Sequence, residues 1–442
     1  MKKIISLIIV CTIIISGMFI YGKSDKKDLL EDNNGPIIAA VIDGKASTTF
    51  PTTNKYTATV ECTRNGIKQD VGAKATWNGT KWVVSFNDIS AGNVRCNATF
   101  ETKKPAPNGW YEAGNGTLLA LLRDINILKK PITTPGAAVS TASEALLAST
   151  EDDYGTSYYF RGAVTNNYVE FANKCWRIVR VGGDGSVKLI LHNDNTNGAA
   201  NPCSSANNSD TAAFARYSGT TYTSEYNTKA DDNAYVGFKY GVAGASDYAS
   251  THANTNKSKI LTNLETWYTN NLKDYADKIA DTVWCNDKTN VMDTTYDPWI
   301  QIPTGLGYAN NVTYYGATQR LLSTDGSAGG TGPSLKCNGE LSKINSKVGI
   351  ITANELALAG YAYNLSNSTT YLQENATDNW WWSLSPNYFS GDSAYVWSVN
   401  GIEGYFNYGD VRNEFGVRPS ISLKSTTNVT GNGTSEKPYV VN

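Results

Sequence analysis

Apolar and polar positions change their spacing several times along this 442-residue chain. From Ile4 to Gly22 there is an apolar run without a charge, preceded by Lys2 and Lys3. Nineteen helical residues reach about 28 Å, close to a hydrocarbon core, and the leading lysines favour a cytoplasmic start. No small-x-small cleavage site occurs at Phe19–Gly22, so residues 1–22 are expected to be a retained anchor, with secretion as the outcome if they are cleaved. Cys11 then lies inside the membrane segment. Residues 23–35 are mostly charged and polar, a stalk.

Beyond residue 36 the spacing becomes that of strands. Tyr56–Val60 alternates, Lys81–Phe86 does so less perfectly, and Asn65-Gly66 and Asn78-Gly79 supply turns between them. Residues 36–103 are expected to form a small Ig-like β-sandwich. Residues 104–150 read as a linker with one helix, capped by Thr117, lined by Leu118, Leu119, Leu122, Ile125 and Leu128, and stopped by Pro131. The remainder, 151–442, opens with a meander whose hairpin signal is Gly182-Gly-Asp-Gly185. Helical spacing returns at Ile260, Leu264, Trp267, Tyr275 and Ile279, and Thr352-x-x-Glu355 is a capping box ahead of a helix that Gly360 can end.

Composition narrows the chemistry. Net charge is −2 with 18% charged residues, which offers no footprint for nucleic acid. Apart from Cys11, the six cysteines suggest disulfides: Cys62 with Cys96, alone in their module, and by proximity Cys175 with Cys203 and Cys285 with Cys337. No CxxC occurs and the only histidines are His192 and His252, so neither a metal nor another cofactor is expected, and both histidines read as solvated. Asn193–Gly198 resembles a calcium loop, but Asn stands first and Ser204 twelfth, where carboxylates are needed. GxSxG, HExxH and GxxxxGK are absent. A hydrolase would need two of Asp281, Asp287, Asp293 and Asp297 brought about 5–9 Å apart.

The segment 376–425 holds the densest motifs: Trp380-Trp-Trp-Ser-Leu-Ser-Pro386, Ala394-Tyr-Val-Trp397, Gly404-Tyr405 and Phe415-Gly-Val-Arg-Pro419. Their order resembles the C-terminal half of the major paralogous domain, within the superfamily of formylglycine-generating enzymes and C-type-lectin-like folds. Motifs at Phe160, Cys175, Trp284 and Ile351 further resemble surface proteins of Gram-positive gut bacteria. The resemblance implies an α+β, C-type-lectin-like domain over 151–442, with antiparallel strands and a few helices. It also implies structural roles for Trp381, Trp397, Gly416 and Arg418, the last pairing with a carboxylate or carbonyl. The copper-binding cysteine pair of the generating enzymes has no counterpart in the segment, which argues against their oxidation chemistry. Strand alternation would bury Trp381, or else Trp380 with Trp382, but not all three. Trp380, Trp382, Tyr388, Phe389 and Tyr405 are therefore the candidate stacking residues. The expected role is non-catalytic binding at the cell surface, to a glycan or another surface protein, with a purely structural envelope protein as the rival.

Overall fold

The structure, a computed structural model, describes residues 37–53, 56–64, 66–78, 81–87, 94–102, 113–114, 116–126 and 128–442. The expected anchor 1–22, the stalk 23–35 and the start of the linker, 104 to 112, lie outside these residues. Among the described residues no helix is long and apolar enough to cross a membrane. The chain divides into two compact units, Met1–Lys104 and Pro105–Asn442.

The first unit contains β1 (Ile37–Ile42), β2 (Lys45–Ser47), β3 (Tyr56–Arg64), β4 (Ile67–Gln69), β5 (Lys74–Trp77), β6 (Trp82–Ser85) and β7 (Arg95–Thr102). Five of them form one sheet in the order β2-β1-β7-β3-β4, with β1 parallel to β7, while β5 and β6 make a separate hairpin. Trp82 of the hairpin packs on Phe100 of the sheet, rings 5.2 Å apart and edge to face, and closes the small core with Ala40 and Ala98. The Cys62–Cys96 disulfide forms, but it joins directly opposed residues of β3 and β7. It therefore staples one sheet instead of bridging two, and the expected Ig-like sandwich gives way to a mixed sheet covered by a hairpin.

In the second unit, α1 (Leu118–Ile125) starts where Thr117 accepts from the Ala120 N–H. Then come β8 (Ala145–Asp152), β9 (Gly155–Gly162), β10 (Tyr168–Phe171), β11 (Lys174–Val181) and β12 (Val187–Asn193). The β11–β12 turn needs glycine: Gly185 has φ 79°, and a Cβ on Gly183 would meet Asp152 Oδ1 at 2.4 Å. Next are α2 (Lys259–Asn271), β13 (Thr282–Cys285), α3 (Gly316–Leu321), β14 (Lys343–Ser346) and α4 (Ala353–Ala359). The chain finishes with β15 (Trp380–Phe389), β16 (Ala394–Asn400), β17 (Tyr405–Asp410), β18 (Ser420–Leu423) and β19 (Tyr439–Val441). One sheet runs β18-β12-β11-β10-β19 to Val429–Thr430, with β9 on β11 and β8 on β9. A second runs from Thr223–Ser224 through Phe415–Gly416 to β15, β16 and β17, and Thr313–Tyr314 also pairs with β15. One core spans the unit and includes Trp176, Trp267, Trp284, Trp381, Trp382 and Trp397, all fully buried.

The expected α+β class is corrected to mostly β: strands hold 35% of the residues and helices 13%. The helical stripes exist but are short. α2 ends at Asn271, so Tyr275 lies beyond it and is exposed, while Ile279 is buried outside any helix. Around α4 the capping box forms: Thr352 accepts from the Glu355 N–H, and Glu355 accepts from the Thr352 N–H at 2.9 Å. Gly360, at φ 125°, ends it. The two further disulfides, Cys175–Cys203 and Cys285–Cys337, are both formed.

Candidate functional site

Strand β15 carries most of the candidate residues, and its alternation is overridden by burial on both faces. Trp381 aligns with Val399 and Phe406 on one face. Trp382 points to the other, against Phe415 at 4.5 Å and Tyr226 at 5.6 Å, and its indole N–H donates to the Ser224 carbonyl at 2.8 Å. A strand covered on both sides can be apolar at every position. Trp382 and Phe389 are thus wholly buried and present no ring to a ligand. Trp380 is half-buried, stacked on Phe415 at 5.5 Å, and Tyr405 is half-buried on β17. Trp397 is buried, as are Gly416, where a Cβ would meet the Phe214 ring at 2.5 Å, and Arg418. Arg418 donates to the Leu372 and Leu191 carbonyls at 2.5 and 3.2 Å and lies over the Trp381 ring.

Each aspartate of the paired-carboxylate reading is engaged with a partner of its own. Asp281 holds Lys347 at 2.9 Å, Asp287 holds Arg320, Asp293 accepts from Thr295, and Asp297 accepts from Tyr314 and two backbone N–H groups. Both histidines are buried instead of solvated. His252 bonds the Gly307 carbonyl at 2.8 Å, and burial pushes its pKa down to about 3. Burial beside Arg177 and Arg418 holds His192 neutral as well. In the calcium-like loop, Lys174 Nζ sits 2.7 Å from Asp194 Oδ1, where a cation would have to bind. Among the described residues no group of three His, Cys, Asp or Glu could hold a metal.

A different aromatic group comes together at one end of the β15–β17 face. Tyr388 of β15 stacks on Tyr395 of β16 at 4.6 Å, and Tyr408 of β17 stands edge-on to both at 5.4 and 5.6 Å. Trp299, from the connection between β13 and α3, lies on this bed, 4.9 Å from Tyr388, 5.0 Å from Tyr408, 5.5 Å from Tyr314 and 6.2 Å from Tyr363. Burial raises the pKa of each of Tyr314, Tyr363, Tyr388 and Tyr408, so the phenols stay protonated through the physiological range. Tyr388 is the one sequence candidate that belongs to this group, as a nearly buried member of its bed.

The residues after Trp299 are the unusual ones. Ile300 and Ile302 are 87% and 82% exposed, and both are left-handed, at φ 56° and 51°. A β-branched residue in that region is a genuine outlier, at about 1–3 kcal/mol each. Asp297 holds the turn by accepting from the Gln301 N–H at 2.8 Å, the Ile302 N–H at 3.2 Å and the Tyr314 hydroxyl at 2.9 Å. Its carboxyl lies below the usual carboxylate range because these donors outweigh desolvation, the largest single influence, which acts the other way. Met292, 70% exposed, and Leu306 lie on the same connection. Trp299-Ile-Gln-Ile-Pro303 is apolar at four of its five positions, yet among the described residues it pairs with no strand, which the sequence alone does not reveal.

The polar cleft lined by Asp152, Arg180, Lys188 and Glu355 encloses about 40 Å3, room for a few waters. Glu355 takes Arg180 at 2.8 Å and Lys188 at 2.7 Å, which leaves the cleft a closed ion network.

Residues 338–425 match a family model described as a domain of unknown function, DUF6273. The match includes Tyr363, Tyr388, Tyr395 and Tyr408 but not Trp299–Pro303. No curated protein and no solved structure matches the chain.

Proposed function

We propose that the chain is a non-catalytic binding protein of the cell surface, held by its N-terminal apolar segment, and that the ridge at Trp299–Pro303 docks another protein. The single observation that carries this is the pair Ile300 and Ile302: apolar, almost fully exposed and held in a strained conformation by Asp297. Exposed apolar surface of this kind marks interaction sites, and backbone strain persists where function requires it. The branched aliphatic side chains favour a protein over a sugar, because Trp299 already occupies the tyrosine bed that could stack on a pyranose.

Charge defines the partner further. Between Thr289 and Gly332 the charged residues are Asp293, Asp297, Arg320 and Asp325, and Arg320 is paired with Asp287. Asp293 and Asp325 are exposed, and Asp325 lies beside Gly326, whose added Cβ would come 2.8 Å from the Pro298 carbonyl. An apolar ridge with an acidic margin fits a partner that offers an apolar recess rimmed by Lys or Arg. The three disulfides accord with an oxidising location.

The test is binding of the purified, labelled full-length chain to whole bacterial cells. Ile300→Asp with Ile302→Asp should lower binding about tenfold or more without lowering Tm, and protease treatment of the cells should abolish it. Binding that survives the double substitution, or that periodate removes and protease does not, overturns the reading.

A further inference from the structure

The loop after β12 encloses a second site, independent of the ridge. It is a pocket of about 220 Å3 bounded by Asn193, Asp194, Thr196 and Asn197 on one side and by Ala206–Ser209, Thr211 and Ala212 with Arg216 on the other. Ligand pockets are mostly apolar. Here Ala206 and Ala212 are the apolar exceptions in a wall of amide, hydroxyl and charged side chains. The volume is below the roughly 300–1,000 Å3 of drug-sized sites, which limits an occupant to about one ring.

The walls are preorganised. Cys203 ties the loop to Cys175 of β11, and Asn193 Nδ2 donates to the carbonyls of Pro202 and Asn207 at 3.1 and 3.0 Å. On the floor Asp194 is nearly buried, and Arg216 turns Nη1 and Nη2 to Thr211 and Phe214. Among the described residues no hydrogen bond engages Arg216 Nε and no carboxylate lies within ion-pair distance of its guanidinium, which rests over the Tyr222 ring at 4.4 Å. At the mouth, Thr196 and Ser209 are exposed, and their hydroxyls have no hydrogen-bond partner among the described residues.

Charge selects the ligand. Asp194 is already neutralised by Lys174 at 2.7 Å, which removes it as a cation ligand. Counted together, Lys174 and Arg216 are matched by Asp194 and Asp378, so the site has no surplus of positive charge for an anion. Asn193, Asn207 and Asn208 bond within the chain, so what remains for a ligand is a small set of groups, the hydroxyls of Thr196 and Ser209, Asn197 Nδ2 and Arg216 Nε, around a neutral space. We infer that this pocket binds one neutral pyranose unit of a sugar, without calcium, its ring hydroxyls engaging the side chains of Thr196, Asn197 and Ser209 and Arg216. The sugar can be free or the terminal unit of a glycan.

The experiment uses the purified full-length chain with glucose, galactose, mannose, N-acetylglucosamine and N-acetylgalactosamine as probes, read by saturation-transfer NMR and titration. At least one should bind, equally well with EDTA present. Ser209→Tyr, a surface change that fills the mouth, should weaken binding about tenfold or more at unchanged Tm, as one or two lost hydrogen bonds would. Arg216→Gln should weaken it similarly. Tighter binding of an oligosaccharide ending in the same sugar identifies a glycan terminus as the source, and equal binding identifies the free sugar. Transfer to none of the five probes, dependence on calcium, preference for glucuronate over glucose, or full binding by Ser209→Tyr each overturns the inference.

Discussion

At the scale of single residues, the second unit stakes much of its stability on buried charge. Glu355 is both the N3 residue of a capping box and the acceptor for Arg180 and Lys188, and these cations hold its pKa down to about 2 against the desolvation that would raise it. A carboxyl whose pKa is lower in the folded chain than the unfolded value of about 4.3 stabilises fully above that value, and the stability is lost as pH falls toward 2. Glu355→Gln should therefore cost about 3–5 kcal/mol at pH 7 and flatten the loss between pH 4.5 and 2.5, read from urea midpoints. A wild-type slope retained by the variant would assign the acid sensitivity elsewhere. Lys288 behaves in the opposite sense. It is buried, its Nζ donates to the carbonyls of Lys239 and His252 and to Asn254 Oδ1, and burial lowers its pKa to about 7. Between pH 7 and about 10.4 the unfolded chain keeps a proton that the folded chain has released, so stability should rise with pH over that window. Lys288→Met should remove that rise, seen by comparing denaturation midpoints at pH 7.5 and 9.5. The capping box could be read from Thr352 and Glu355 alone, because its signature is local. Lys288 could not, since its acceptors come from residues 34 to 49 positions away.

At the scale of elements, the misreadings share a cause. Alternation assumes one wet face, and β15 has none, so Trp381 and Trp382 are both buried and a period-two rule could not sort them. The glycine turn of the β11–β12 hairpin and the caps of α1 and α4 were legible, because each depends on a few adjacent residues. The ridge after Trp299 was not, since its bed is assembled from Tyr314, Tyr388 and Tyr408 on three separate stretches of chain. The strain there separates a structural role from a binding role. Glycine adopts the left-handed region freely, so Ile300→Gly and Ile302→Gly should each keep Tm or raise it, through relief of strain on the order of 1 kcal/mol. The same substitutions should weaken partner binding, because the side chains are gone. Unchanged binding together with a lowered Tm would make the isoleucines packing residues and remove the ridge from the functional site.

At the scale of the whole molecule, the described cores are separate. One set draws on Ala40, Trp82, Ala98 and Phe100 with Cys62, Val71, Val94 and Cys96, and the main core of the second unit runs from Leu118 to Tyr439. A unit of about sixty to seventy residues buries too small a fraction of its surface to be more than marginally stable, whereas the second unit is of a size that supports a full core. Cys62–Cys96 should accordingly matter more than its sheet position suggests. With a sequence separation of 34 residues, its cross-link limits the unfolded chain by about 3–4 kcal/mol in the chain-entropy description. That is comparable to the whole stability expected of so small a unit. Calorimetry of the full chain should therefore resolve two transitions. Replacing Cys62 and Cys96 by alanine should abolish or sharply lower the smaller one and leave the larger within about a degree. Replacing Cys175 and Cys203 should do the reverse, and it should also loosen the polar pocket that this bond frames. A single transition that moves with both replacements would mean that the two cores unfold together. The first unit would then be a structural part of the binding body, and the ridge would have to be studied in the intact chain alone.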